Sequence, residues 1–206
     1  MIRLEKDGAL WIATIDRTEK ANSLTEPMLT ELADIAEAAV EARVLVLTGA
    51  GSVFSAGADL EAARAGLALS PVWERLSGAI AALPGLSIAA LNGTVAGGAM
   101  GMVLACDLRI AAPNAKAFYP VMKLGFLPQP SDPARMSRLI GPSRTKMIFM
   151  GGAKIDAQTA LSWGLFDKIV ESDDLMTEAR NLATDTVGAT GDHASAIKTL
   201  CEKTLS

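Results

Sequence analysis

Cysteine, histidine and aromatic residues are all scarce in this chain. Its two cysteines, Cys106 and Cys201, lie far apart, and His193 is the single histidine. No CxxC pair and no His/Cys cluster is present, which argues against a structural zinc site and points to reduced, buried thiols. Aromatics make up 4% of the residues while half are apolar, so the core must be packed from aliphatic and small side chains. No uninterrupted apolar run reaches the roughly 18 residues of a membrane span. The first residues alternate like a strand and lack the apolar stretch of a signal peptide, so a soluble, cytoplasmic protein is expected. Long runs of one charge are also missing, and with a formal charge of −4 no basic face is available for nucleic acid.

What the sequence does have is a steady alternation of short apolar runs and helical patterns over 206 residues, enough for one domain with a sizeable core. Residues 10–15, after an Asp7-Gly8 turn, read as the second strand of a hairpin. Thr25 and Pro27 mark a helix start, with Met28, Leu29, Leu32, Ile35 and Ala36 on one apolar face. Residues 43–48 form a continuous apolar run, as in a strand buried on both faces. Helices are predicted at 61–69 and 72–83, strands at 86–91 and 108–112, and a short extended piece at 118–122. The three prolines of 125–133 make that segment an exposed or pocket-lining loop. Short helices follow at 135–140, 143–150 and 157–163, then 174–187 and 194–204.

The stretch 92–107, NGTVAGGAMGMVLACD, turns at Asn92-Gly93 and meets a glycine pair, Gly97-Gly98, before a small apolar helix. Glycine there lets the backbone bend and lets another chain or ligand come close. A helix start also leaves N–H groups free to hold a negative oxygen, although tight helix–strand packing alone explains a single glycine pair. The stretch 49–60, GAGSVFSAGADL, repeats the strand–turn–helix pattern. Two such turns can aim one N–H each at a common point, which is the arrangement of an oxyanion hole.

Together with Asp16-Arg17-Thr18-Glu19-Lys20-Ala21-Asn22-Ser23-Leu24-Thr25, Leu124-Gly125-Phe126-Leu127-Pro128 and Ser162-Trp163-Gly164-Leu165-Phe166-Asp167, these motifs cover nearly the whole chain. In this order they resemble the crotonase, or enoyl-CoA hydratase/isomerase, superfamily. The resemblance implies an α/β fold, the crotonase-type ββα spiral, in a single domain: a core of 1–185 and a shortened C-terminal helical segment at 186–206. It also implies homo-oligomers, trimers or hexamers, and an acyl-CoA thioester as the ligand, with coenzyme A as part of the substrate rather than a separate cofactor. No metal and no membrane partner is expected.

By the same resemblance the backbone N–H groups of Ala58 and Gly98 would hold the thioester oxygen, with Gly57 and Gly97 bending the chain. Lys20, Ala21 and the backbone from Ala56 through Gly57 and Asp59 to Leu60 would meet the coenzyme A arm; a solvated surface role for Lys20 stays open. The two glutamates of the family's hydratases fall on Gly101 and Val121, neither of which can move a proton. Asp132, in Ser131-Asp132-Pro133, is then the first candidate acid, or else a helix N-cap. Tyr119 is a possible hydrogen-bond donor or a structural tyrosine, and His193 reads as surface. The expected function is an acyl-CoA-processing enzyme that stabilises a thioester enolate, with isomerisation, hydrolysis or decarboxylation favoured over hydration. The alternatives are a non-catalytic acyl-CoA-binding or assembly protein and, less favoured, a scaffold that binds no coenzyme A.

Overall fold

The computed structural model describes residues 1–203. The chain opens with the hairpin β1 (Ile2–Asp7) and β2 (Leu10–Ile15), paired antiparallel across the Asp7-Gly8 turn. Helix α1 (Glu26–Ala38) buries Met28, Leu29, Leu32, Ile35 and Ala36, the face predicted from their spacing. Thr25 sits at its N-cap position, but its side chain makes no capping bond.

Three ββ units then follow one another. β3 (Val44–Gly49) leads to β4 (Val53–Ser55), α2 (Leu60–Arg64) and α3 (Val72–Ala81). β5 (Leu86–Leu91) leads to β6 (Thr94–Ala96) and α4 (Ala99–Ala105). β7 (Leu108–Ala111) leads to β8 (Lys116–Phe118), α5 (Val121–Leu124) and α6 (Asp132–Phe149). The chain closes with β9 (Ile155–Asp156), α7 (Ala157–Trp163), β10 (Lys168–Ile169), α8 (Leu175–Gly188) and α9 (Gly191–Lys203). In each unit the long strand joins a six-stranded sheet, order β1-β2-β3-β5-β7-β10, and the short one a four-stranded sheet, order β4-β6-β8-β9. This is the single-domain ββα spiral.

The large sheet is parallel apart from its hairpin edge, and its middle strands are covered on both faces. Val44, Leu45, Val46 and Leu47 are all buried. Leu45 and Leu47 face the main core with Phe54, Leu76 and Met100. Val44 and Val46 face a second cluster closed by Leu175, Ala179 and Ala183 of α8. Each fully buried aliphatic side chain is worth about 1.5–3 kcal/mol, which is how a core this poor in aromatics holds. Helix α8 spans the 185/186 boundary expected between core and tail, and its buried face lies on the sheet.

Several expectations need correction. The piece at 118–122 is not extended throughout: β8 stops at Phe118, and Val121 and Met122 belong to α5. Pro120 has no N–H for the ladder, so pairing ends before it. Residues 61–69 are not one helix, because α2 stops at Arg64 and a separate 3₁₀ turn occupies Leu67–Leu69. The two helices expected at 135–140 and 143–150 are present and separated at a non-helical Gly141 (φ 80°), but the first begins earlier, at Asp132. Cys201 is exposed; only Cys106 is buried, where desolvation pushes its thiol up to about 12. No described helix is long and apolar enough to cross a membrane.

Candidate active site

β4, β6 and β8 are parallel neighbours, so the segments leaving their C-terminal ends converge. In α/β sheets that edge is the usual ligand side. Here it holds a cavity of about 150 Å³, lined among others by Ala58, Gly98, Trp73, Tyr119 and Val121.

The first wall follows β4. Gly57 has φ +90°, and a Cβ there would stand 2.7 Å from the Ala96 carbonyl oxygen, so the two turns meet only because no side chain intervenes. The opening segment fixes this wall: Leu24 N–H donates to Gly57 O and Asp59 N–H to Leu24 O, at 2.8 Å each. Ser55 Oγ donates to Asn22 O, and Asn22 Nδ2 donates to the carbonyls of Ala50 and Val53. The second wall follows β6, where Gly97 N–H donates to Phe118 O and Gly101 N–H to Gly98 O. The N–H groups of Ala58 and Gly98 donate in none of these bonds, and both residues line the cavity. Trp73 backs Gly98: its ring would lie 3.1 Å from a Cβ at that position, and its indole N–H is held by Leu67 O at 2.8 Å.

The third wall carries the titratable side chains. Tyr119 is buried, lines the cavity and donates its hydroxyl to Asp132 Oδ2 at 3.0 Å. Asp132 is fully buried behind it and does not itself line the cavity. The N-cap of α6 is Ser131, and no side chain caps it, so the capping alternative for Asp132 is overturned. Its carboxyl instead occupies the space a side chain at position 101 would enter: a Cβ on Gly101 would lie 2.9 Å from Oδ1. That Oδ1 has no hydrogen-bond partner. Burial pushes the Asp132 carboxyl up to about 7; the Tyr119 bond and Arg135 pull it down, and Glu74 adds to the rise. Burial, then the neighbouring Asp132, raise the Tyr119 hydroxyl as well. Ser131 anchors this wall by donating N–H and Oγ–H to the Glu74 carboxylate at 3.0 and 2.6 Å.

A more polar cleft of about 730 Å³ adjoins the cavity, sharing Ala56, Ala58 and Leu60 with it. Lys20 and Asp59 line this cleft, as do Arg17 and Arg64, to which the sequence reading gave no role. Asp59 is held low by Arg17, which donates to its Oδ2 at 2.8 Å, and by the N–H groups it caps at the start of α2. Ala21 lines neither space; it has φ 49° and accepts the N–H of Ala56 at 3.0 Å. Gly57 lies beneath the cavity wall, and Gly97 lines it. His193 is exposed on α9. The remaining sequence landmarks hold the fold: Asp107 accepts from Ser87 and Lys198, and Asp167 pairs with the buried Arg109. Among the described residues no three His, Cys, Asp or Glu side chains are grouped to hold a metal.

The spiral fold, with a cavity and a polar cleft at this sheet edge, agrees with what sequence comparison finds. The enoyl-CoA hydratase/isomerase family model matches residues 5–206, and the chain belongs to that family. A short-chain-enoyl-CoA hydratase of Clostridium acetobutylicum is 34% identical over 193 residues, covering 87% of this chain and 72% of its own. A carnitinyl-CoA dehydratase of Escherichia coli is 32% identical over 213 residues, 98% of this chain and 80% of its own. Among solved structures, an enoyl-CoA hydratase from Bacillus anthracis superposes with a TM-score of 0.89 at 31% identity, covering 98% of this chain and 82% of that one. The chain is thus an acyl-CoA-processing member of the crotonase superfamily.

Proposed function

We propose that this protein binds an acyl-CoA thioester with its carbonyl oxygen between the N–H groups of Ala58 and Gly98, and stabilises the enolate formed there. The observation that carries this is the pair of N–H groups left over by the turns after β4 and β6, both on one small cavity. Charge that develops on the thioester oxygen in a dry site gains more from such fixed donors than the ground state does, and losing one typically costs about 3–4 kcal/mol of barrier. The polar cleft beside Ala56, Ala58 and Leu60 takes the coenzyme A arm, with Lys20, Arg17 and Arg64 offering positive charge toward its phosphates.

At the two positions where the family's hydratases carry glutamates stand Gly101 and Val121, and the one carboxyl joined to the cavity wall is Asp132. Water addition across a double bond needs one group to activate water and another to protonate carbon. A single titrating carboxyl serves a proton shift, a hydrolysis or a decarboxylation better than a hydration. The cavity's otherwise apolar lining also favours a second reading, an acyl-CoA binder that turns over nothing: Tyr119 and Gln129 are the only polar side chains among its lining residues besides the satisfied Trp73.

Titration with acetoacetyl-CoA separates these readings. An enolate absorbance band that Ala58→Pro abolishes, by removing one N–H, supports the enzyme. Binding without the band supports the binder, and no binding rejects the ligand.

A further inference from the structure

The acid side of the site is arranged in series. Asp132 is sealed from the cavity, and its carboxyl oxygen Oδ1 lies 2.9 Å from where a Cβ at position 101 would stand. Tyr119 is the group that both lines the cavity and touches Asp132. Resting on the acyl-CoA reading above, we propose that Tyr119 exchanges the proton with the α-carbon of the bound thioester, and that Asp132 is its positioning and proton-holding partner.

In the step, the α-carbon C–H bond breaks and its electron pair moves into the enolate, whose oxygen lies in the donor pair. The Tyr119 oxygen takes that proton as its own passes to Asp132 Oδ2. The reverse step breaks the Tyr119 O–H bond, forms C–H, and returns the Asp132 proton to Tyr119. Charge is conserved, since the carboxylate becomes neutral as the enolate becomes negative. A phenol this hard to ionise needs such a coupled acceptor, and a carboxyl near neutrality is a matched one. The charged groups acting on Asp132 are Glu74 from α3 and Arg135 from α6; Gly101 of α4 contributes none.

The test follows deuterium uptake at the α-carbon of butyryl-CoA in heavy water, by mass spectrometry, on the full chain. Wild type should exchange at a rate that rises with pH and levels off above about 7, because deprotonating the substrate requires ionised Asp132. Tyr119→Phe should slow exchange by about 100-fold or more while butyryl-CoA affinity and the acetoacetyl-CoA enolate band persist. Asp132→Asn retains an acceptor for Tyr119 and should both slow exchange and flatten the pH profile, which a purely structural role would not do. Tyr119→Phe exchanging like wild type, its pH profile intact, overturns the relay and leaves the acyl-CoA reading standing. An enolate band without exchange in wild type overturns it likewise. Absence of butyryl-CoA binding sinks both.

Discussion

On one side of the cavity stand the turns after β4 and β6, with Ala58 and Gly98; on the other stands Tyr119, its hydroxyl bonded to Asp132 behind it. The first side is fixed by bonds that involve little side-chain chemistry: Leu24 to Gly57, Asp59 to Leu24, Gly97 to Phe118. A donor that belongs to the peptide survives any substitution other than proline that leaves room for the turn. The second side depends on which residue fills one small volume. With glycine at 101, the carboxyl of Asp132, on α6, occupies the space a side chain there would need. The backbone side thus depends on room for its turns, and the side-chain side on which residues stand at 101, 119 and 132.

That contrast can be broken from either side. The largest effect should come from Gly57→Ala, which adds a Cβ 2.7 Å from the Ala96 carbonyl at φ +90°. It should lower unfolding free energy by roughly 2–4 kcal/mol in urea denaturation and abolish the enolate band. Next is Asp132→Asn. The raised native pKa means the folded protein holds that proton more tightly than the unfolded chain, so its stability contribution falls as pH climbs from the ordinary carboxylate range through about 7. The asparagine variant should match wild type near pH 5 and exceed it by roughly 1–3 kcal/mol at pH 8. A wild type whose stability relative to Asp132→Asn does not change with pH would show that the carboxyl is not desolvated.

Gly101→Ala should act on the carboxyl side alone. Its Cβ forces Asp132 off its seat, at a cost of about 1–2 kcal/mol, and should suppress α-proton exchange while leaving acetoacetyl-CoA binding. Equal loss of binding and exchange would mean that the two sides are not separable. The smallest effect belongs to Lys20→Ala in the polar cleft: acyl-CoA affinity a few-fold weaker, with a shallower salt dependence in calorimetric titrations.

Two strand–turn–helix stretches rich in small residues were visible in the sequence, and through the family resemblance they nominate Ala58 and Gly98; both residues line the cavity. The continuous apolar run at 44–47 marks a strand covered on both faces. Asp132 was legible only as an aspartate before a proline, which suits an N-cap as well as an acid. Its actual place depends on space left by Gly101, in a helix of the preceding ββ unit, and on Tyr119 thirteen residues earlier, contacts that have no local pattern. Trp73 behind Gly98 and Arg64 in the polar cleft were missed for the same reason, since an apolar helix face or a surface arginine reads alike wherever it lands. Arg17 stood in a recognised motif, but its pairing with Asp59 closes across the fold.

The most direct test is to follow the backbone amide resonances of Ala58 and Gly98 while acetoacetyl-CoA is titrated into the protein. Both amide protons should move strongly downfield together, saturating with the enolate band, as two donors on one anionic oxygen must. If the ligand binds and neither resonance moves, the thioester oxygen lies elsewhere and the central claim is wrong.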